Sequence, residues 1–205
     1  MAADKVICHW NVCPERLVQK IPGVTLRQED MHMNQAMENI MTRRSVKKYR
    51  PDAVPQDVLE RIVTAGTYAA TGMNRQSPLI LAVTDRKLRD QLSMMNRKIM
   101  GADIDPFYGA PVVLVVLADK SVPTYLYDGS LVMGNLMLAA HAEGLGSCWI
   151  HRAKEEFESE EGKQILKDLG IEGDYEGIGH CVIGYADGEE KEAAPRKENY
   201  VRYVR

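Results

Sequence analysis

The sequence lacks the features of membrane and secreted proteins. No apolar run comes near the roughly 20 residues that a membrane-spanning helix requires, and the N-terminus has no apolar core of the secretory type. The four cysteines of the 205-residue chain are too few and too scattered for a disulfide framework. Hydrophobic residues make up 45% of the chain and charged residues 27%, which is typical of soluble globular proteins. We therefore expect a soluble, cytoplasmic protein without a membrane partner.

The sequence also lacks an excess of charge of one sign. Lysine and arginine number 26 against 29 aspartate and glutamate, so the formal net charge is −3. Nucleic-acid-binding domains usually carry a clear basic excess, and we expect no nucleic-acid partner. Cys8, His9 and Cys13 lie close together near the N-terminus, but no second ligand pair follows at zinc-like spacing. The sequence therefore predicts no metal site.

Several catalytic motifs are missing as well. The glycine pairs at 144–146 and 177–179 lack the strand, glycine loop and helix order of a dinucleotide fingerprint. There is no Walker loop, no G-x-S-x-G elbow and no H-E-x-x-H sequence. These absences argue against a Rossmann dehydrogenase, a nucleoside triphosphatase and the common hydrolases.

Hydrophobic periodicity predicts long helices mixed with a few strands. Helical spacing covers residues 34–44, 54–70, 85–100, 128–143 and 153–170. Runs rich in strand-forming residues predict buried strands over 79–84, 110–119 and 179–186. Because strands and helices do not alternate steadily, the pattern indicates an α+β sandwich rather than a doubly wound sheet. The length fits one domain.

Four short segments carry the functional signal. They are "RRSVKKY" at 43–49, "TGMNRQS" at 71–77, "GLGSCWI" at 144–150 and "PRK" at 195–197. In this order and spacing the chain resembles the nitroreductase family of FMN-dependent oxidoreductases, from about Met33 to the C-terminus. The resemblance implies an α+β fold with a mixed, mainly antiparallel sheet flanked by helices. It also implies an intertwined homodimer in which both chains build each FMN groove.

The same resemblance sets the expected domain boundaries. Residues 1–32 form an N-terminal extension outside it, and residues 33–205 form the FMN-binding domain. Residues 28–31 can be encoded by a string that contains a ribosome-binding purine tract just ahead of Met33. This leads to the hypothesis that the natural chain begins at Met33.

The basic segment "RRSVKKY" suits an anionic ligand. The phosphate of FMN carries nearly two negative charges, which a guanidinium binds through paired N–H donors and a hydroxyl group can supplement. The resemblance implies that Arg43 and Ser45 hold the phosphate and ribityl chain, with Arg196 closing on the phosphate. Lys47, two residues after Ser45 along an extended segment, is expected to reach flavin atoms N1 and O2 and to stabilise the reduced form.

The remaining basic residues of this segment are expected to alternate away from the ligand. On this pattern Arg44, Lys48 and Arg50 face solvent. The family resemblance nevertheless makes Arg44 a candidate cofactor-binding residue as well.

The resemblance implies further flavin contacts from three places in the chain. A loop is expected to reach the partner chain's flavin through Ala70, Thr71, Gly72 and Asn74. Asn96 is expected at the pyrimidine edge of the flavin. Ile150 and His151 are expected to present backbone N–H groups to flavin N5 and O4, with the His151 side chain as a minor candidate for proton donation.

The resemblance implies an enzyme whose chemistry takes place on FMN rather than on a catalytic side chain. Such an enzyme takes hydride from NADH or NADPH and then reduces a second small molecule, a nitroaromatic, quinone or activated alkene, by a ping-pong mechanism. One alternative is a relative that uses reduced flavin in oxygen or dehalogenation chemistry. A second is a non-catalytic flavin-binding or redox-sensing protein that signals through Cys8 and Cys13.

Overall fold

A computed structural model describes residues 34–189 and 192–205. These residues belong to two units, one up to Ala193 and one from Ala194 to Arg205. Cys8, His9 and Cys13, the proposed extension and the hypothetical start at Met33 lie outside the described residues. The domain boundary at residue 33 therefore stays a prediction.

The larger unit contains six α-helices and four strands among its described residues. In chain order they are α1 Gln35–Thr42, α2 Gln56–Thr67, β1 Pro78–Val83, α3 Arg86–Met100, β2 Val112–Asp119, α4 Tyr125–Ala142, β3 Gly146–Ile150, α5 Ala153–Glu158, α6 Glu160–Asp168 and β4 Tyr175–Gly184. A short 3-10 turn, Gly72–Asn74, lies between α2 and β1.

The four strands form one sheet in the order β1-β2-β4-β3, and every neighbouring pair is antiparallel. Strand β2 alternates its side chains between two cores. Val113 and Val115 face a core built with α3, α5 and α6. Leu114 and Val116 face a second core built with α2 and α4. The sheet is thus covered by helices on both sides, which confirms the predicted α+β class and mainly antiparallel sheet.

The structure corrects two sequence-based elements. Strand β3 was not predicted, because it is only five residues long, begins with Gly146 and offers too little sequence to show a strand period. The predicted helix over 153–170 is two helices, because Ser159 adopts extended dihedral angles of φ −70° and ψ 157°. Its side chain then accepts a hydrogen bond from the Gly162 amide and caps α6.

The basic segment that follows α1 is joined to the sheet. The amide of Val46 donates to the carbonyl of Ser147 in β3 at 3.0 Å, beside a parallel bridge between Ser45 and Ser147. Further along, the amide of Arg50 donates to the carbonyl of Tyr185 at 2.9 Å, just after β4. The segment therefore runs along the β3 side of the sheet in a fixed position.

The loop between α2 and β1 is unusual in its backbone. Met73, Asn74 and Gln76 have φ values of 51°, 53° and 50°, in the left-handed region that side chains disfavour. Three such residues within four positions persist only where surrounding contacts hold them.

Those contacts converge on Asp128 at the start of α4. Its Oδ1 accepts from the Gly72 amide at 3.0 Å, and its Oδ2 accepts from the Ser77 and Thr124 hydroxyl groups, each at 3.0 Å. Asp128 as a whole is 3% exposed. A buried carboxylate with three donors therefore fixes both ends of the loop.

The unit from Ala194 to Arg205 is exposed along nearly its whole length. The Nη2 of Arg196 donates to the Ala194 carbonyl at 2.7 Å, and the Nζ of Lys197 lies 5.3 Å from the centre of the Tyr200 ring. Within the described residues of both units, no helix has the length and apolar character that crossing a bilayer demands.

We expect Asp128→Ala to release the loop, because one amide and two hydroxyl groups lose a buried charged acceptor. The free energy of unfolding should fall by about 2–3 kcal/mol, the scale of hydrogen bonds to a charged group. Hydrogen exchange at the Gly72 amide should accelerate. Asp57→Ala removes an exposed carboxylate of α2 and should leave that exchange rate unchanged. Unchanged exchange at Gly72 in Asp128→Ala would contradict the anchoring role.

Candidate functional site

A cavity of about 170 Å³ lies where β3 ends. Its lining includes the basic or ionisable side chains of Lys47, His151 and Arg152 and contains no carboxylate among the described residues. The remaining lining residues are Met100, Ile104, Pro106, Tyr108, Cys148, Trp149 and Ile150. The cavity thus combines positive charge with apolar and aromatic walls.

Three predicted phosphate and flavin ligands come together next to this cavity, around Cys148. Burial raises the pKa of the Cys148 thiol, while the charge of Lys47, a hydrogen bond with the Ser45 side chain and the charge of Arg43 act to lower it. The net effect is a raised pKa, so Cys148 is a neutral wall of the site rather than a reactive thiolate.

Two of these cations, Arg43 and Lys47, have no anionic partner among residues 34–189. The Nη1 atom of Arg43 is buried and makes no hydrogen bond, and among residues 34–189 no carboxylate pairs with the exposed Lys47. By contrast, Lys48 forms an ion pair with Asp187 at 2.6 Å. A buried guanidinium nitrogen without a partner is costly, and an anionic ligand removes that cost.

The expectation that Arg44 faces solvent is wrong. The residue is half-buried, and its Nη1 donates to the carbonyls of Met41 and Arg43, both at 2.8 Å. Helix α1 ends at Thr42 and leaves carbonyl groups without helical partners, which Arg44 folds back to satisfy. Arg44 is therefore a capping residue of α1 in this structure.

The solvent-facing prediction holds for the other two residues of the set. Lys48 and Arg50 are both exposed. The Arg50 guanidinium stacks over the Tyr185 ring at 5.0 Å from its centre.

Asn96 lies behind the cavity rather than in its lining. The residue is fully buried, and its Nδ2 donates to the His151 carbonyl at 2.8 Å and to the Glu156 carboxylate. Its Oδ1 accepts from the Nε of Arg152 at 2.9 Å. The amide is thus engaged on both sides, and it fixes the turn that follows β3.

Sequence reasoning missed the buried pair of Glu156 and His180 next to Asn96. Glu156 and His180 are both fully buried, and Glu156 Oε2 lies 3.2 Å from His180 Nε2. Arg152 was missed as well, although it follows "GSCWIH" directly. The available signals were an arginine just after the run that ends at Ile150, a glutamate on the helix that follows, and a histidine inside an apolar strand.

The loop residues predicted to bind a flavin do not line the cavity of their own chain. Thr71 and Gly72 are half-buried, and Ala70 and Asn74 are exposed. The loop leads into β1, whereas the cavity lies at β3, and β1 and β3 are the two edge strands of the sheet. A single chain therefore carries two separate groups of the predicted site residues.

Arg196 belongs to the separate C-terminal unit, so its predicted closure on the phosphate stays a prediction. Within the described parts of the chain, no group of three histidine, cysteine or acidic side chains is arranged to hold a metal ion.

Comparison with known proteins agrees with the geometry. The model of the Nitroreductase family matches residues 40–185. A protein of Methanothermobacter thermautotrophicus named "Putative NADH dehydrogenase/NAD(P)H nitroreductase" is 28% identical over 117 residues, which cover 55% of this chain and 59% of that protein. A protein of the same name from Archaeoglobus fulgidus is 29% identical over 123 residues, covering 58% of this chain and 68% of that one. The chain thus spans about three fifths of the length of the first relative.

A solved structure agrees in fold over most of the chain. The nitroreductase of Bacteroides fragilis with bound FMN is 25% identical, and the match covers 84% of this chain and all of that chain with a TM-score of 0.77. The family model matches well over half of the sequence and includes the basic segment from Arg43 and the cavity-lining strand β3. The chain belongs to the Nitroreductase family.

Proposed function

We propose that this protein is an FMN-dependent oxidoreductase that takes hydride from NADH or NADPH and reduces a second small molecule by a ping-pong mechanism. One observation carries the proposal: Arg43 and Lys47 are held beside the cavity without any anionic partner in residues 34–189. FMN bound to the Bacteroides fragilis relative supports the choice of anion.

The residues around the cavity suit FMN in charge and in spacing. Arg43 and Ser45 would hold the phosphate next to Ser147, where the basic segment joins β3. Ile150 lies three residues further along β3, roughly 10 Å away at about 3.3 Å per residue. Lys47, Ile150 and His151 would then meet the flavin ring in the cavity, and the ring when bound supplies the two-electron chemistry.

Several chain residues would act on the bound cofactor without reacting themselves. Lys47 would place a positive charge where the ring becomes negative on reduction, and the backbone N–H groups of Ile150 and His151 would donate to it. The His151 side chain is exposed at the cavity and remains a minor candidate for proton transfer. Asn96 would act mainly by holding the turn after β3. To contact the flavin directly, its amide would have to break its hydrogen bonds with His151 and Arg152.

We propose that a second copy of the chain completes the site. Helix α1 has no buried residue and exposes Met37, Ile40 and Met41. Helix α4 exposes Leu126, Tyr127 and Leu131, with Tyr127 73% exposed. Exposed apolar surfaces of this kind favour association. In such a homodimer the partner's Ala70, Thr71, Gly72 and Asn74 would reach the flavin that the first chain cannot cover.

The alternatives are distinguished by one assay. A relative that uses reduced flavin in oxygen or dehalogenation chemistry should fail to sustain NAD(P)H oxidation with a quinone in the absence of oxygen. A sensing protein should hold FMN and oxidise neither nicotinamide. Steady anaerobic turnover with a quinone or nitroaromatic supports the proposed function.

A set of four variants tests the roles assigned to the basic residues. Arg43→Ala and Arg196→Ala should each weaken FMN binding by about 1.5–3 kcal/mol, because the phosphate loses a charged donor. Lys47→Ala should keep most FMN bound but lower its reduction potential, since the lost charge favours the reduced form. Binding is measured by fluorescence titration and the potential by equilibration with a reference dye.

Lys48→Ala is the matched control for Lys47→Ala. Its ammonium pairs with Asp187 and lies outside the cavity lining, so both FMN affinity and potential should stay near the wild-type values. Equal, small effects of the two lysine substitutions would mean that the basic segment does not act on a flavin.

The dimer is tested by sedimentation and by mixed dimers. Leu131→Glu should shift the protein towards monomer and reduce FMN binding, because a charge enters an apolar interface. In mixed dimers an Asn74 substitution in one chain should weaken mainly the flavin anchored by the other chain. A monomer that binds FMN stoichiometrically, or damage confined to the mutant chain's own flavin, would refute the shared site.

A further inference from the structure

The partners of the Arg152 guanidinium among residues 34–189 are neutral. Its Nε donates to the Asn96 amide oxygen at 2.9 Å, and its Nη2 contacts the Met100 sulfur at 3.4 Å. Among residues 34–189, no carboxylate oxygen lies within ion-pair distance of its guanidinium. Arg89 and Arg61, by contrast, pair with Asp105 at 2.6 Å and with Glu143 at 2.8 Å. The Arg152 charge therefore remains available to a ligand.

The backbone and side-chain contacts of Arg152 hold it in this orientation. Arg152 has φ 78° and ψ 6°, a left-handed conformation that is uncommon for a residue with a side chain. The turn is held because Asn96 binds the His151 carbonyl and the Arg152 side chain at once. Glu156 in turn binds Asn96 from the buried side. The amide thus stands between the buried carboxylate and the guanidinium, and keeps the two from neutralising each other.

The part of the cavity around Arg152 that is not assigned to the flavin suits a flat, largely apolar ligand lying against the ring. Its walls include Tyr108, Met100 and Ile104, and no carboxylate among the described residues lines it. A guanidinium has five N–H donors, of which Asn96 and Met100 use two here. The remaining donors on Nη1 and Nη2 are sufficient to bind a carboxylate through two parallel hydrogen bonds.

We propose that the second substrate is an aromatic electron acceptor that bears a carboxylate, and that Arg152 binds this carboxylate. The inference rests on the proposed function and extends it to a substrate class. For a nitroaromatic acid, NAD(P)H delivers a hydride by way of the cofactor. With one further proton, the nitro group becomes a nitroso group, one N–O bond breaks and water leaves, while NAD(P)H becomes NAD(P)⁺. The carboxylate takes no part in this electron transfer and serves only for binding.

The test compares 4-nitrobenzoate with 4-nitrobenzamide, which have the same ring and nitro group but differ in charge. We expect wild-type kcat/KM to favour the benzoate by about tenfold or more, the scale of a charged hydrogen bond. Arg152→Gln should lower kcat/KM for the benzoate by about 10- to 100-fold and change it for the benzamide by less than about threefold. Arg152→Lys, which keeps the charge but not the planar donor pair, should recover part of the preference.

Binding without turnover provides a second readout. Calorimetric titration of the oxidised protein with 4-nitrobenzoate, in the absence of nicotinamide, should show the same loss of affinity in Arg152→Gln. Arg97→Gln is the control, because Arg97 is exposed on α3, pairs with Asp103 at 2.9 Å and does not line the cavity. It should alter neither substrate's affinity.

Three outcomes would overturn the inference. The first is equal wild-type efficiency with benzoate and benzamide, which leaves the proposed function intact if both are reduced. The second is a loss of FMN affinity in Arg152→Gln as large as the loss for the benzoate, which would make Arg152 a flavin ligand. The third is equal loss for both substrates. If the protein binds no FMN, the proposed function fails, and calorimetry with the two ligands still decides whether Arg152 selects the carboxylate.

Discussion

The attachment of the basic segment to the edge of the sheet determines the rest of the site. Three backbone hydrogen bonds achieve it: Val46 to Ser147, Arg50 to Tyr185, and Asp187 to Lys48, at 3.0, 2.9 and 3.0 Å. Because these bonds fix the main chain, the side chains of Arg43, Ser45 and Lys47 are held on the β3 side of the sheet. The positive charges of Arg43 and Lys47 are therefore concentrated beside β3, next to a cavity that has no acidic lining residue in the described part of the chain.

The turn after β3 also holds a cation in a fixed position, but through a side chain rather than through backbone hydrogen bonds. Its anchor is Asn96, a neutral amide, where a carboxylate would bind an arginine more tightly. A neutral anchor orients the Arg152 guanidinium without cancelling its charge. The carboxylate that does lie nearby, Glu156, is buried behind the amide and faces His180. The protein thus orients the Arg152 guanidinium without neutralising its charge, as a site for an anionic ligand requires.

The fold class and most elements could be predicted from the sequence because they depend on local periodicity. Helix α3 and strand β2 show long patterns, and both were found close to their observed bounds. Strand β3 could not be found, because a strand of five residues that begins with a glycine is too short to show a period. The break at Ser159 was missed because the helical spacing continues across it, and only the cap of α6 reveals it.

Candidate site residues could be named from the sequence to the extent that they lie in short motifs. The positions of Arg43, Ser45, Lys47, Ile150 and His151 followed from the resemblance, and the fold brings these residues to one edge of the sheet. The fold-back of Arg44 onto α1 depends on where the helix ends. The hydrogen bonds of Asn96 are made with His151 and Glu156, which are more than 50 positions away in the sequence. Local sequence patterns do not predict such long-range contacts.

The central claim is that the unpaired charge of Arg43 serves an anionic group of a bound cofactor. Comparing the affinities of the chain for FMN and for riboflavin, which lacks the phosphate, tests this most directly. The account predicts that the wild-type chain binds FMN more tightly than riboflavin by about tenfold or more, and that Arg43→Ala removes most of this difference, since each tenfold step is 1.4 kcal/mol. Equal affinities in the wild type, or an undiminished difference in Arg43→Ala, would contradict it.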